Sequence, residues 1–282
     1  MKRRIVFATC RSLPEFQPDD VPIAEALQAR DCEVVPAPWN GPFEPFAEAD
    51  VVVVRSTWDY FEQANEFVAW LKALESVRGT VINSPALMAW NSNKTYLLDL
   101  QKRGAPLPPT RLVQPNAESI VAAMRELDLS EAIVKPVVGA GASGLSILRA
   151  DDEASITRAV ERLEYDGLVQ PLIPEIRTLG ETSATFFDGE FSHAVVKRPK
   201  RDSILVQAEH GGNTSAVTLT DEQLATARSV LGLLPEPPRI ARVDMVLTDT
   251  AALLMEVEVI EPELFVLHDP KAPGRCADLI QG

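Results

Sequence analysis

Four consecutive valines, Val51–Val54, do most to limit what this chain can become. β-branched side chains are stiff at χ1 and favour extended backbone. A run with no polar alternation has no wet face, so the strand must be covered on both sides. Such strands belong to parallel sheets flanked by helices, and the neighbouring sequence supplies the helices. Residues 4–9 read as a strand. Residues 19–30 read as a helix, with Asp19 or Asp20 as cap and Pro22 in its first turn. Residues 33–36 form a short strand, 63–77 an amphipathic helix and 80–83 another strand. This β-α-β-α-β order predicts a small parallel α/β sheet within the first 90 residues.

Beyond it, residues 91–103 read as a helix that ends at Gly104 and a proline cluster, Pro106, Pro108 and Pro109. That cluster marks a domain boundary. A further helix spans 116–127. The rest is richer in strands, at 132–138, 145–148, 168–170, 183–187, 190–198, 204–208, 239–247 and 252–260. Helices at 154–163 and 221–233 interrupt them. Asp188-Gly189 is a strong hairpin turn between two apolar-rich strands. Strand pairs mixed with helices predict an α+β body for the C-terminal two thirds.

The chain has 282 residues, enough for about two domains or one large one. Its 27 Lys and Arg stand against 41 Asp and Glu, a formal net charge of −14. That excess of acid excludes a binder of nucleic-acid backbones, which needs clustered cations. It does not exclude small phosphorylated ligands, which need only a few well-placed ones. Cys10, Cys32 and Cys276 are odd in number, far apart and form no CxxC, so neither a disulfide framework nor a zinc site is expected. A cytoplasmic setting follows as the expectation. Three histidines are too few for a multi-histidine metal cage. No apolar run is long enough to cross a membrane, and the opening residues lack a signal-peptide core.

Two segments carry chemistry. Gly139-Ala140-Gly141-Ala142-Ser143-Gly144 matches GxGxxG, but its setting is wrong for a dinucleotide fold. That motif should end the first strand and open a helix. Here it lies between two predicted strands. A glycine loop there can act as a flap whose backbone N–H groups close over phosphates, with Ser143 adding a hydroxyl. Lys135, beside apolar Ile133 and Val134 in the incoming strand, is semi-buried and so calls for an anion. The other reading is a plain hairpin with a solvated lysine.

The second segment is an acidic hairpin. Arg242-Val243-Asp244-Met245 and Glu256-Val257-Glu258-Val259 both alternate charged with apolar residues. Period-two alternation puts Arg242 and Asp244 on one face, and Glu256 and Glu258 on one face. A hairpin centred near Thr250 sets Asp244 opposite Glu256 and Arg242 opposite Glu258. A bulge would shift that register. Facing carboxylates repel, so one is protonated or a cation bridges them. Magnesium suits such a site. A solvent-facing acidic strand with Arg242 as compensation is the alternative.

In their order along the chain, these segments resemble the ATP-grasp superfamily. The resemblance implies an α/β N-terminal lobe plus α+β ATP-grasp lobes, with mixed, largely antiparallel sheets clasping ATP. It divides the chain into 1–90, a preceding α/β domain; 91–168, a linker helix and the subdomain with the glycine flap; and 169–282, the C-terminal subdomain with the magnesium site. Carried across by position, Lys94 resembles the helix lysine on the nucleotide phosphates and Lys135 the second one. Gly139, Gly141, Ser143 and Gly144 resemble the flap. Gln170, Pro171 and Leu172 resemble the hinge that reads adenine, and Glu175 the ribose contact. Asp244 and Glu256 resemble magnesium carboxylates, and Glu258 stands where the superfamily usually has asparagine. Arg242 resembles the arginine that steadies the transferred phosphoryl group, and Lys197 is a further candidate for phosphate or substrate. The cofactors implied are ATP and Mg2+, with two ions.

The stretches around Val54-Arg55-Ser56-Thr57-Trp58-Asp59-Tyr60, Ser192-His193 and Ile260-Glu261-Pro262 are similar to glutathione-synthetase-like proteins and to the cyclo-ligase of cycloserine biosynthesis. The implied activity is ATP-dependent joining of a carboxylate and an amine through an acyl phosphate, on small amino-acid-like substrates. An intramolecular cyclo-ligase and a nucleotide-binding module without activity are the alternatives. Arg55 follows the carboxyl end of a buried strand, where α/β ligand sites form. It can bind the acid, with Trp58 and Tyr60 shaping the pocket, or belong to a helix-start turn packed on the core. His193 faces the cleft or is structural. Partners are then small-molecule acid and amine substrates, with neither nucleic acid nor membrane, and a homodimer is common among such proteins.

Overall fold

The computed structural model describes residues 2–141, 143–200, 203–206, 211–248 and 251–282. Among these residues the strands form three sheets. The first holds β1 (Arg3–Thr9), β2 (Cys32–Pro38), β3 (Val51–Val54) and β4 (Thr80–Ile82), in the order β2-β1-β3-β4. Every pairing in it is parallel. Helices α1 (Val21–Gln28), α2 (Glu44–Ala47) and α3 (Ala64–Leu74) connect the strands. The four valines behave as a two-faced strand must. Val51 and Val53 pack into one core with Ile23 and Leu27, while Val52 and Val54 pack into another with Phe67 and Leu71. Each buried valine is worth roughly 1.5–3 kcal/mol relative to exposure.

Two short helices follow, α4 (Pro85–Asn91) and α5 (Tyr96–Lys102), where the periodicity predicts one helix over 91–103. The break has a local cause. The Lys94 backbone N–H turns away to the Val137 carbonyl at 2.6 Å, and the Thr95 N–H is taken by the Asn93 side chain at 3.0 Å. Lys94 therefore sits in a turn between helices.

The second sheet holds β5 (Arg111–Val113), β6 (Glu131–Pro136), β7 (Ser146–Arg149) and β8 (Gly167–Pro171), in the order β5-β8-β6-β7. All its pairings are antiparallel. β8 straddles the division read at 168/169 and belongs wholly to this sheet. Helices α6 (Ala117–Glu126) and α7 (Glu153–Arg162) cover one face, each capped at its start by a side chain, Asn116 and Asp152.

The third sheet holds β9 (Glu181–Phe187), β10 (Glu190–Arg198), β11 (Asn213–Val217), β12 (Ile240–Leu247) and β13 (Ala252–Glu258), in the order β11-β10-β9-β12-β13. It is antiparallel throughout. The turn at Asp188-Gly189 forms with both residues at positive φ, 48° and 77°, as a two-residue hairpin demands. No strand forms over 203–206, and residues 207–208 of that predicted strand lie outside the described residues. Helix α8 (Asp221–Leu231) packs its buried side beside β12. Helix α9 (Ala272–Gln281) returns to α1, so the last residues complete the core of the first sheet.

Side chains fasten the first sheet to the third. Asn83, at φ 60°, donates to the carbonyls of Ile240 and Val259, both at 2.7 Å, and accepts from the N–H groups of Arg239 and Ile240. Asn91 and Tyr96 pair with the outer edge of β13 at Val257 and Val259. Such pairing satisfies an edge that would otherwise bury unmatched backbone groups.

Candidate active site

The acidic hairpin has the register expected for its acids, and a bulge produces it. Near the turn, Leu247 pairs with Ala252 and Met245 with Leu254. Continued unchanged, that register would set Asp244 opposite Met255. The ladder instead shifts between Asp244 and Met245, so that Asp244 faces Glu256 and Arg242 faces Glu258. The extra residue, Met255, switches the face of everything after it. Leu254 and Val257 consequently share one core despite an odd spacing. Thr250, the expected centre of the turn, lies outside the described residues.

This face of the third sheet floors a cleft of about 1040 Å³. The roof comes from the second sheet, with Lys135, the flap residues Gly139, Gly141, Ser143 and Gly144, and the segment Pro171, Leu172 and Ile173. The end wall comes from the first lobe, with Trp58 and Tyr60. The flap does join two antiparallel strands, β6 and β7, and no helix follows it directly. Gly141 and Gly144 take positive φ, 58° and 75°. Ala142 lies outside the described residues.

The floor is a chain of alternating charges. Arg242 holds Asp244 through two parallel bonds, Nε to Oδ1 at 2.9 Å and Nη2 to Oδ2 at 2.8 Å. It also bonds the Glu258 carboxylate and the Glu263 carbonyl. Lys197 lies 3.3 Å from Asp244 and 2.6 Å from Glu181. Ser183 donates to Asp244 at 2.7 Å. Lys94 bridges floor and flap, 2.7 Å from both Glu256 and the Gly139 carbonyl. Lys135 donates at 3.5 Å to the carbonyl of Met255, the bulged residue. Phe265, in the left-handed region at φ 55°, lays its ring 5.5 Å from the Arg242 guanidinium and 5.9 Å from Lys197 Nζ.

Burial alone would neutralise these acids, and the cations decide which stay charged. Arg242 and Lys197 outweigh burial at Asp244 and hold its carboxyl below the usual range. Lys94 and Lys135 do the same for Glu256. At Glu258 burial wins over Arg242 and pushes the carboxyl up to about 8. Burial also lowers Lys135, outweighing the pull of Glu256, since among the described residues no carboxylate pairs with it directly.

Residues 94–264 match the family of the prokaryotic glutathione synthetase ATP-grasp domain. The chain belongs to the ATP-grasp family. It is thereby an ATP-dependent ligase that forms a carbon–nitrogen bond, and the family works with ATP and Mg2+. Residues 5–83 match the N-terminal domain of D-cycloserine synthetase DcsG. A cycloserine biosynthesis protein of Streptomyces lavendulae is 28% identical over 269 residues, 87% of either chain. Among solved structures, D-cycloserine synthetase DcsG superimposes with a TM-score of 0.86 at 24% identity, over 98% of each chain. The D-alanine–D-alanine ligase of Bacillus anthracis gives 0.73 at 17% identity, over 100% of this chain and 96% of that one.

The donor chemistry of this ATP-grasp floor fits magnesium. Asp244, Glu256 and Glu258 are hard oxygen donors on one face of two neighbouring strands, and magnesium asks for one or two carboxylates beside phosphates. Their charges are at present matched by Arg242, Lys197 and Lys94, and among the described residues no three acids converge on one point.

Some predicted residues lie away from the cleft. Arg55 is 2% exposed and sealed inside the first lobe. Its Nε bonds Asp20 at 2.7 Å, Asp19 stands 3.9 Å away, and Nη1 donates to the Pro262 carbonyl at 3.1 Å. Asp20 keeps the N-cap position of α1, but its carboxylate serves Arg55 rather than the helix. The structure thus favours the packed reading of this arginine. His193 is buried too, with Nε2 on the Leu264 carbonyl at 2.7 Å. The Gln170 side chain turns inward to Thr110 at 2.8 Å, leaving its neighbours Pro171 and Leu172 to line the cleft. Glu175 lies in the short 3-10 turn Pro174–Arg177, half-buried and outside the lining, which takes Ile176 instead.

Sequence reasoning missed Glu181, Glu261 and Phe265, all of which line the cleft. Glu181 opens β9 and points at Lys197, a cross-strand pair that only the β9–β10 register reveals. Phe265 gave no signal, being one apolar residue in the run Leu264-Phe265-Val266-Leu267.

Proposed function

We propose that this chain closes a ring: it phosphorylates the carboxylate of a small amino-acid-like substrate and joins the carbonyl carbon to an aminooxy nitrogen of the same molecule. The supporting observation is the first lobe. Residues 5–83, which bring Trp58 and Tyr60 to the end of the cleft, match a D-cycloserine synthetase N-terminal domain. The substrate carboxylate oxygen attacks the γ-phosphorus of ATP, the bond to the β-phosphate oxygen breaks, and ADP leaves. The aminooxy nitrogen then attacks the acyl carbon, the carbon–oxygen bond to phosphate breaks, and the nitrogen gives up a proton.

The protein needs no covalent nucleophile for this, because placement and charge suffice. Lys94, Lys135 and the flap N–H groups take the ATP phosphates. Pro171 and Leu172, with backbone groups of the Gln170 segment, take the adenine edge. Asp244, Glu256 and Glu258 would hold magnesium, two ions on this reading, and the metal would supply positive charge to the phosphate oxygens. Arg242 and Lys197, which line the cleft beside Asp244, face the transferred phosphoryl group. The flap keeps water from the acyl phosphate.

An intermolecular amide ligase is the second reading. The cleft of about 1040 Å³ favours it, being at the upper end of the usual range for ligand sites and able to take an amine beside acid and nucleotide. Phosphate release over a panel of amino acids, dipeptides, and ureido and aminooxy acids, with mass detection of product, separates the two. A product equal to one substrate less one water is the expected result. A product combining two molecules supports the second reading. Absence of phosphate release across the panel with Mg-ATP sinks both.

A further inference from the structure

Glu261 is the buried carboxylate that the charge chain leaves over. Asp244 and Glu258 have Arg242, Glu256 has Lys94, and Glu181 has Lys197, each within 4 Å. Glu261 is 8% exposed, lines the cleft, and has no cationic side chain within that distance among the described residues. Lys94 and Arg242 act on it only from a distance, and both are already committed. A buried carboxylate without a cation is costly.

The backbone around Glu261 prevents its escape to solvent. Trp58 Nε1 donates to the Glu261 carbonyl at 3.1 Å. Arg55 holds the Pro262 carbonyl, and Asp19 accepts from the N–H groups of Leu264 and Val266, both at 2.7 Å. The segment is therefore pinned on both sides of a side chain that looks into the cleft. The first lobe contributes aromatic side chains to the cleft there, Trp58 and Tyr60.

We infer that Glu261 receives the ammonium group of the substrate, and so selects acids that carry a free amino group over their deaminated counterparts. This rests on the reading of the chain as a ligase of amino-acid-like acids. The cation that the protein withholds from Glu261 is supplied by the ligand. The site is distinct from the phosphate-binding cations and from the three acids assigned to magnesium.

The test pairs turnover with binding. 2-Amino-3-(aminooxy)propanoic acid and 3-(aminooxy)propanoic acid differ only in the amino group. With the first, E261Q should raise KM by about ten- to a hundredfold, the loss of one charge-assisted bond. With the second, KM should be unchanged, and binding of a non-hydrolysable ATP analogue with magnesium should be unchanged for both proteins. E261D, which keeps the charge, should recover part of the loss. Equal effects of E261Q on both compounds, or none on either, overturn the inference. If the wild-type protein turns over neither compound, the ring-closing reading fails. Glu261 is then judged by calorimetry with small amino acids of both configurations against their deaminated counterparts, in the presence of the ATP analogue. Binding of the amino acids alone, lost in E261Q, sustains the inference; equal binding of both sets, or binding of neither, overturns it.

Discussion

Arg55 and Arg242 begin from the same inventory. Each belongs to a β-strand or its immediate end, each meets two carboxylates, and each also donates to a backbone carbonyl in the segment after β13. Their surroundings separate them. Arg55 is walled in by Asp19, Asp20 and Pro262, and its charge balance is closed. Arg242 meets acids that themselves line a cleft, and one of them, Glu258, is pushed up to about 8 by burial. Sealed on every side, an ion pair fixes architecture; left open on one side, the same pair is available to a ligand. Access distinguishes the two, and composition does not.

The comparison can be broken most forcefully at the open end. Replacing Asp244 and Glu256 together by Ala should cut turnover by about 10⁴-fold or more, each lost electrostatic group being worth about 10²–10³. Retention of full activity in a phosphate-release assay would remove both from the site. At the sealed end, Arg55→Met strands Asp19 and Asp20 and should cost about 3–5 kcal/mol of folding stability, read as a fall in the denaturant midpoint. A stability near wild type would show that Arg55 is not the closed counterpart described here.

A smaller effect is expected between them. Gly180 sits at φ 80°, and a Cβ there would come within 2.4 Å of the Lys197 carbonyl. Gly180→Ala should cost about 1–3 kcal/mol and should weaken turnover as well, because Glu181 and Lys197 move with it. Loss of stability with unchanged turnover would detach that pair from the chemistry.

The smallest effect concerns pH. Burial holds the His193 imidazole below its usual pKa, so the folded protein keeps it neutral with Nε2–H on the Leu264 carbonyl. Its contribution is whole above an unfolded pKa near 6.5 and is lost as pH falls, by up to about 1.4 kcal/mol per unit. His193→Gln should flatten that part of a stability–pH curve, and an unaltered slope below pH 6.5 would assign it elsewhere.

The sequence spoke clearly where the cause was local. Val51–Val54 dictated a strand covered on both faces, Asp188-Gly189 dictated its hairpin, and the alternation after Arg242 dictated a sheet face rich in acid. It was silent where the cause was remote. Arg55 looked free because Pro262, more than 200 residues later, is what closes over it. Lys94 looked helical because the pull of the Val137 carbonyl on its backbone belongs to another sheet. Glu261 was one acid among several until the pairing of all its neighbours left it without a cation. α9 was not anticipated at all, although Pro273 lies in its first turn, where proline is well placed.

The bulge at Met255 also bears on heredity. Removing the Met255 codon would leave a regular ladder in which Asp244 still faces Glu256 and Arg242 still faces Glu258, and would cost only the bulged carbonyl that Lys135 reaches. Removing the Val257 codon instead would turn Glu258 into the hydrophobic layer and bring Val259 up opposite Arg242. A lineage holding this activity can therefore lose or regain the bulged residue, yet can hardly change by one the count of residues between Glu256 and Glu258.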